Sequence, residues 1–301
     1  MITRLATGAA LLAVLSFLVF VGVELLPGDP VTTRLGPTAT PERVEAARHQ
    51  LGLDRPVLVR YGEWASGLLS GDLGRSATGK PVSEMLADRV GNSALLAGIS
   101  LTLLIPLSLG LGLLAATRRV VSAGALVLAS VPEFVLAVGA VLLFAITLRW
   151  FPAVSLIPAG SSPLAHPSAL VLPVLSLLAV GMAYAIRVIS SAASTVLRSP
   201  HVEFMRLNGI PVLRTAVIPA VLPVAVQVWL VTGVSLVGGG VLVEKVFGYP
   251  GIGELLVVSV QSGDLPVVQA LVLILGGAML LALLLADIAI RFLTPRLRTA
   301  S

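Results

Sequence analysis

The chain has no cysteine among its 301 residues. A disulfide framework, a thiolate nucleophile and a thiolate metal site are therefore excluded, and no redox compartment can be read. Charge is scarce too: Asp, Glu, Lys and Arg together make up 12% of the chain, about half the usual share, while 56% is hydrophobic. So apolar a composition excludes a soluble enzyme, a nucleic-acid-binding module and a disordered chain. The net charge of +5 does not reopen the second of these, because no basic stretch is mixed with aromatic residues.

What the chain has instead is long uncharged runs, at 5–23, 90–117, 150–186, 215–243 and 265–286, with a further run at 120–148 that only Glu133 interrupts. Each can supply a helix of roughly 20 residues, enough to cross a bilayer. The expectation is an all-α membrane protein with six transmembrane helices, at about 5–26, 91–116, 121–148, 168–193, 215–242 and 266–290. Arg4 ahead of the first apolar run resembles the start of a secretory signal. That run is longer than a signal needs, however, and Leu25-Leu26-Pro27-Gly28-Asp29-Pro30 follows it in place of a small-x-small cleavage site. An uncleaved first helix is expected.

An even number of spans puts both termini on one side. If that side is the cytoplasm, the inner segments hold Arg4, Arg118, Arg119, Arg187, Arg198, Arg206, Arg214, Arg291, Arg296 and Arg298, against Arg149 and Lys245 in the two short outer loops. The positive-inside rule thus gives N-in, C-in. The segment 27–90 carries the other basic residues and is long enough to escape the rule. Within it Thr40 can cap a helix that begins at Pro41, lines Val44, Ala47 and Leu51 on one face, and ends at Gly52. Val57, Tyr61, Trp64 and Leu68 recur at helical spacing after Arg55-Pro56. Two amphipathic helices on the outer face are expected, either packed against the spans or serving a ligand.

Gly and Pro fall inside several spans, at Pro106, Pro132, Pro173, Pro219, Pro223 and Gly238-Gly239-Gly240. They permit kinks and close helix contact, both useful in a moving pathway and both common in membrane helices generally. No inverted or parallel repeat is evident.

The run from Gly74 through Gly79-Lys80-Pro81 nearly spells a phosphate-binding loop, but Pro81 stands where Ser or Thr must hold Mg²⁺, and no buried strand precedes it. Energy for active transport must then come from a partner or from an ion gradient. A gradient-driven carrier needs ionisable residues at mid-membrane, and the candidates are few: Glu133, Asp287 near the inner end of the last span, and Glu24 at the outer end of the first. Glu133 can line a substrate path or bind a cationic group, or it can be a structural carboxylate near a kink. His49, His166 and His201 lie in three separate loops, so metal coordination within the chain is not expected.

Between the fourth and fifth spans, Ser199 can cap a helix starting at Pro200, and Asn208-Gly209 supplies a left-handed stop. At roughly 13 Å this helix is too short to span. It mixes Phe204, Met205 and Leu207 with Arg198, His201, Glu203 and Arg206. Such a surface suits docking into a cleft on another protein, or a connector lying on the membrane.

Glu203-Phe204-Met205-Arg206-Leu207-Asn208-Gly209 resembles the EAA loop of ABC-importer permeases, and Ile218-Pro219 resembles the pair that closes that loop. Further segments resemble the B-type inner-membrane permease of the dipeptide, oligopeptide and nickel importers. They are Leu26-Pro27-Gly28-Asp29-Pro30, the stretch 51–56, Gly71-Asp72-Leu73-Gly74 with Ser76, the stretch 243–253, the stretch 264–269, and Asp287 with Thr294-Pro295-Arg296. The resemblance runs in matching order from about Thr3 to Arg298.

It implies the type I, MetI-like architecture: a first helix at 1–26, an external segment at 27–90, and a five-helix permease core at 91–301 carrying a coupling helix at about 199–209. It also implies a half-channel that pairs with a second homologous permease, receives cargo from an extracytoplasmic binding protein, and is driven by two cytoplasmic ATPases that hold ATP and Mg²⁺. No cofactor, catalysis or nucleic-acid partner is expected in this chain itself. By the same resemblance Ser199, Glu203, Phe204, Met205, Arg206 and Gly209 form the ATPase-coupling site, with Glu203 and Arg206 as polar contacts, Phe204 and Met205 in the cleft, and Gly209 at the turn. Peptides are the expected cargo, nickel or a chelated metal the alternative within the family, and an ion-coupled carrier the alternative outside it. Between Gly209 and Ile218 the chain is about eight residues shorter than peptide permeases usually are.

Overall fold

A computed structural model describes residues 2–24, 40–50, 54–158 and 160–293. The expected stop at Gly52, the motif 26–30, residues 51–53 of the motif 51–56 and the motif 294–296 lie outside them. Among the described residues eleven α-helices occur in order: α1 (Ile2–Glu24), α2 (Pro41–Gln50), α3 (Val57–Leu69), α4 (Val82–Ala115), α5 (Arg119–Ala129), α6 (Glu133–Ala140), α7 (Pro167–Leu197), α8 (Pro200–Leu207), α9 (Ile218–Phe247), α10 (Ile252–Ser262) and α11 (Leu265–Leu293). One π-helix, Val141–Thr147, extends α6 and another, Leu213–Val217, leads into α9. The described residues contain no strand, only an isolated bridge between Arg75 and Pro81.

Among the described residues four stretches are long and apolar enough to cross a membrane: Val82–Ala115, Pro167–Leu197, Leu213–Leu236 and Leu265–Ile288. The expected third span is not one straight helix. It breaks between α5 and α6, whose axes differ by 103°, and counts as a fifth span only if the pair is taken together. Pro132 explains the break, since it has no N–H to donate and pushes Val131 out of the helical region. Within α1 the stretch Thr7–Gly22 is apolar as well. Prolines inside α4, α7 and α9 do not end them; in α7 the carbonyl freed by Pro173, that of Ala169, accepts from the Ser155 hydroxyl.

The chain forms two compact units. The first joins the residues up to Ser93 with Pro250–Leu280. Its core sets Val82 and Leu86 of α4 against Ile252 and Leu255 of α10 and Val267, Ala270 and Leu271 of α11. Polar clamps fix the turn that enters α10: Arg89 bonds the Glu254 carboxylate at 2.6 Å and the Gly251 carbonyl at 3.2 Å, Asn92 donates to the Pro250 carbonyl, and Ser93 accepts from the Ile252 N–H. α1 packs on α11 through Val19 and Val268. Gly276 makes that approach possible, since a methyl there would collide with Leu15. Against α1 lies α3, with Tyr61 edge-on to Phe17 at 5.2 Å, Trp64 against Phe20 at 5.4 Å, and a 2.8 Å hydrogen bond between the Tyr61 and Ser16 hydroxyls. The expected amphipathic helix is thus present, and it packs on a predicted span.

The stretch that resembles a phosphate loop is a tight turn pinned to α11. Gly74 and Gly79 sit at φ +82° and +84°, and the Asp72 carboxylate accepts from the Gly74 N–H. The buried Ser76 hydroxyl donates to one oxygen of the buried Asp264 carboxylate, and the Ala77 N–H donates to the other at 3.0 Å. The N–H groups of Gly74, Ser76, Ala77, Thr78 and Gly79 therefore all bond within the chain.

The second unit comprises Ala94–Tyr249 and the chain from Leu281 onward. At its centre is α7, most of whose side chains are buried, packed by α5, α6 and α9. Two glycines set how closely its neighbours approach. A methyl on Gly112 would lie 2.5 Å from the Ile189 Cγ2, and one on Gly181 would run into Leu104 and Thr232. Because Ile189 is β-branched and buried, Gly112→Ala costs about 1–3 kcal/mol in overpacking. Ser155 joins three elements, its N–H donating to the Phe247 carbonyl at 2.7 Å and its hydroxyl to the Ala169 carbonyl at 2.6 Å.

Candidate functional site

The short helix between α7 and α9 occupies the predicted place. α8 spans eight residues, with Ser199 at its N-cap in an extended conformation and Pro200 at its first position. One detail differs from expectation: the Ser199 side chain makes no cap hydrogen bond. Its carbonyl does that work, accepting from the Val202 N–H at 3.1 Å. The stop is as expected. Gly209 adopts φ +68°, the Ile210 N–H closes back on the Met205 carbonyl at 2.9 Å, and the Asn208 amide bonds the Phe204 carbonyl at 2.8 Å. Glu203 in the first turn and Arg206 in the last both complement the helix dipole.

One residue anchors α8: Val202 is fully buried. Glu203, Phe204, Arg206 and Leu207 all face outward, with Phe204 62% and Leu207 83% exposed, while Met205 is half-buried. The exposed apolar pair of α8 is thus Phe204 with Leu207, while Met205 is half turned inward. Exposed Phe and Leu between a carboxylate and a guanidinium make a surface that hydrophobic burial and charge-assisted bonds can both use.

The flanks of α8 are firm. Ile189, Ala193 and Leu197 of α7 pack with Val217 at the end of the π-helix and with Val221 and Ala225 of α9, and Val212 joins them from the connecting segment. After Gly209 the chain enters a single π-turn, Leu213–Val217, which runs straight into α9 at Ile218-Pro219, with Leu213 and Arg214 exposed.

Glu133 stands apart, as the first residue of α6 directly after the break. Its side chain is half-buried, and its Oε1 is buried without a hydrogen-bond partner among the described residues. The positive end of α6 favours a carboxylate there, and an unfilled buried acceptor can take a donor from a passing molecule. Asp287 is exposed on α11, and Glu24 is the last residue of α1. Among the described residues no group of three His, Asp or Glu side chains is placed to hold a metal ion.

The sequence reading passed over Glu244. It ended the fifth span at 242, whereas α9 continues to Phe247 and keeps Glu244 3% exposed. The Glu244 carboxylate folds back toward Gly240, where a methyl would stand 3.9 Å from Oε1. Tyr249, fully buried, donates its N–H to the Glu244 carbonyl at 2.9 Å, and burial together with the neighbouring carboxylate pushes its phenol pKa upward. A small residue four places before a carboxylate in an apolar helix was the available signal.

Comparison with known proteins covers nearly the whole chain. Residues 102–299 match the family described as the binding-protein-dependent transport system inner membrane component, and residues 1–91 match the N-terminal region of such membrane components. A Brucella abortus (strain 2308) protein named as a peptide transport system permease is 35% identical over 305 residues, covering 98% of this chain and 97% of the relative. A Sinorhizobium fredii protein named as a peptide ABC transporter permease is 32% identical over 308 residues, covering 98% and 97%. The glutathione transport system permease protein GsiC of Salmonella choleraesuis is 33% identical over 298 residues, covering 95% and 94%.

Proposed function

Because the chain belongs to the family of binding-protein-dependent transport system inner membrane components, we propose that it is the permease of an ABC importer that carries di- or oligopeptides inward across the cytoplasmic membrane. The observation that carries this reading is α8, a short helix held by one buried valine between two long helices and otherwise turned outward. The names of the relatives, for peptide and glutathione systems, support a peptide cargo.

In this reading both termini and α8 face the cytoplasm, as the distribution of arginine requires. Two ATPase subunits hold ATP and Mg²⁺ and grip α8 here and its counterpart on a second permease. Phe204 and Leu207 enter the ATPase cleft, Glu203 and Arg206 pair with charges at its rim, and Gly209 sets the exit angle of the chain. When the ATPases close, α7 and α9 move with α8, and the pathway exchanges its outward opening for an inward one. An extracytoplasmic binding protein delivers the cargo and does most of the selecting, since the spans offer few fixed charges. Glu133 is the side chain on the path that receives the free amino group of a peptide.

Reconstitution tests this directly. Vesicles holding this chain, its partner permease, both ATPases and the binding protein should accumulate labelled peptide when ATP is supplied to the ATPase side, and vesicles holding this chain alone should not. Uptake by the lone chain down an ion gradient would refute the reading.

A further inference from the structure

Helix α3 has more apolar surface than α1 covers. Tyr61 and Trp64 touch α1 through Phe17 and Phe20, and Val57 and Leu68 share their line by helical spacing. Beside that line runs a second one, Leu58, Gly62, Ala65 and Leu69, spaced four, three and four residues apart. Its two large members stand open, Leu58 at 70% and Leu69 at 92%. The remaining flank is more polar: Glu63, paired with Arg55 at 2.5 Å, and Ser66, with Val59 between them. The helix thus presents three strips in order around its axis: one bound to protein, one apolar and unpartnered, and one mainly polar.

The place where α3 meets α1 says what covers the open strip. Phe20 and Ser16, its contacts on α1, lie four and eight residues before Glu24, the last residue of that helix. At 1.5 Å per residue these contacts lie about 6 and 12 Å below the end of α1. A helix lying in a bilayer interface sinks its apolar face about 5–10 Å into the boundary. α1 itself leaves Leu11, Val14 and Leu18 exposed, as a lipid-facing span does. Arg60, whose guanidinium carbon is 6.0 Å from the centre of the Phe20 ring, can keep its charge beside an aromatic face at this level.

We infer that α3 is an interfacial helix that sinks the Leu58–Leu69 strip into the outer leaflet while leaning on α1, with Glu63 and Ser66 turned to the headgroups and water. The occupant of the open strip is lipid acyl chain. The inference rests on α1 being a membrane span with its Glu24 end outward, and it adds a lipid contact that the transport reading does not require.

The chain has no cysteine of its own, so nitroxide labels can be placed one at a time at Leu58→Cys, Leu69→Cys and Ser66→Cys. All three sites are exposed, so the fold should tolerate the labels. The whole assembly, with cysteine-free partner subunits, is placed in phosphatidylethanolamine–phosphatidylglycerol vesicles, and collisions with oxygen and with a water-soluble nickel chelate are measured by power saturation. Labels at 58 and 69 should favour oxygen several-fold, and the label at 66 should favour the chelate. Equal chelate access at all three positions would overturn the inference, as would labels at 58 and 69 that neither reagent reaches, the mark of a protein partner on the strip. A label at Leu107→Cys on α4 separates this failure from a deeper one: chelate access there would refute the membrane reading of the spans themselves. Peptide uptake by the same vesicles reports on the transport reading independently.

Discussion

Replacing Phe204 by alanine tests whether α8 is the point of energy transfer. A Phe side chain can bury roughly 200 Å², and 62% of residue 204 is exposed, which leaves about 120 Å² for a partner to cover. At about 25 cal/mol per Å² that surface contributes about 3 kcal/mol to docking. Immobilising the ring takes back about 1 kcal/mol. The net loss of about 2 kcal/mol corresponds to ATPase binding weaker by roughly 30-fold. The fold itself should be indifferent, because an outward side chain changes stability by less than about 0.5 kcal/mol. The permease pair in nanodiscs is titrated with ATPase, and dissociation constants are compared for the wild type, Phe204→Ala and Leu207→Ala, alongside thermal unfolding. Weakening of less than about 3-fold in both variants would refute the placement of these residues in the cleft. So would a loss of binding that only tracks a fall in Tm.

Gly209→Val should uncouple uptake from ATP hydrolysis, since a β-branched residue at φ +68° is strained by about 1–2 kcal/mol and re-aims the exit of α8, whereas Gly209→Asn should keep most of the transport rate; equal rates in the two variants would count against the turn. Glu133→Gln should lower uptake of peptides with a free amino terminus more than that of N-acetylated ones, and equal losses would make its carboxylate structural. In intact cells an impermeant thiol reagent should label Ser66→Cys and Ser262→Cys, and it should label Thr215→Cys only after permeabilisation; the reverse pattern would invert the topology. Asp264→Asn removes the charge from two hydrogen bonds to the 76–77 turn and should destabilise that turn by about 1.5–3 kcal/mol, seen as faster amide exchange at Ala77 and Thr78 with the α10 amides unchanged.

Where the signal was local, it could be read before any coordinates. Uninterrupted apolar runs placed α4, α7, α9 and α11, and the Ser199, Pro200 and Asn208-Gly209 signals bounded α8 to within a residue. A kink at Pro132 was foreseeable but a full break was not, because the same residue type leaves α4, α7 and α9 continuous; in α7 the carbonyl that Pro173 frees, that of Ala169, takes the Ser155 hydroxyl, a pairing only the fold supplies. Nor could sequence pair Ser76 with Asp264 or Arg89 with Glu254, whose partners are 188 and 165 residues apart. Glu244 was missed for another reason: a carboxylate next to a lysine reads as a span ending, yet α9 runs on and buries it. In α8 the residue types were legible but their directions were not, since a helix of eight residues has too few turns for periodicity to say which side the fold keeps. Hence the sequence alone does not show that Val202 is the buried anchor or that Met205 is half turned inward.

The division of labour within α8 bears on how such assemblies diversify. Val202 is buried against the chain itself and Gly209 makes its exit turn, while Glu203, Phe204, Arg206 and Leu207 face outward. Under the proposed docking of an ATPase on α8, these outward positions can change in step with that partner at little cost to the chain's own fold. After gene duplication, two systems sharing one membrane can become insulated from each other through a reversed charge or an altered ring at these positions. The inner pair stays under a constraint that no change of companion relieves.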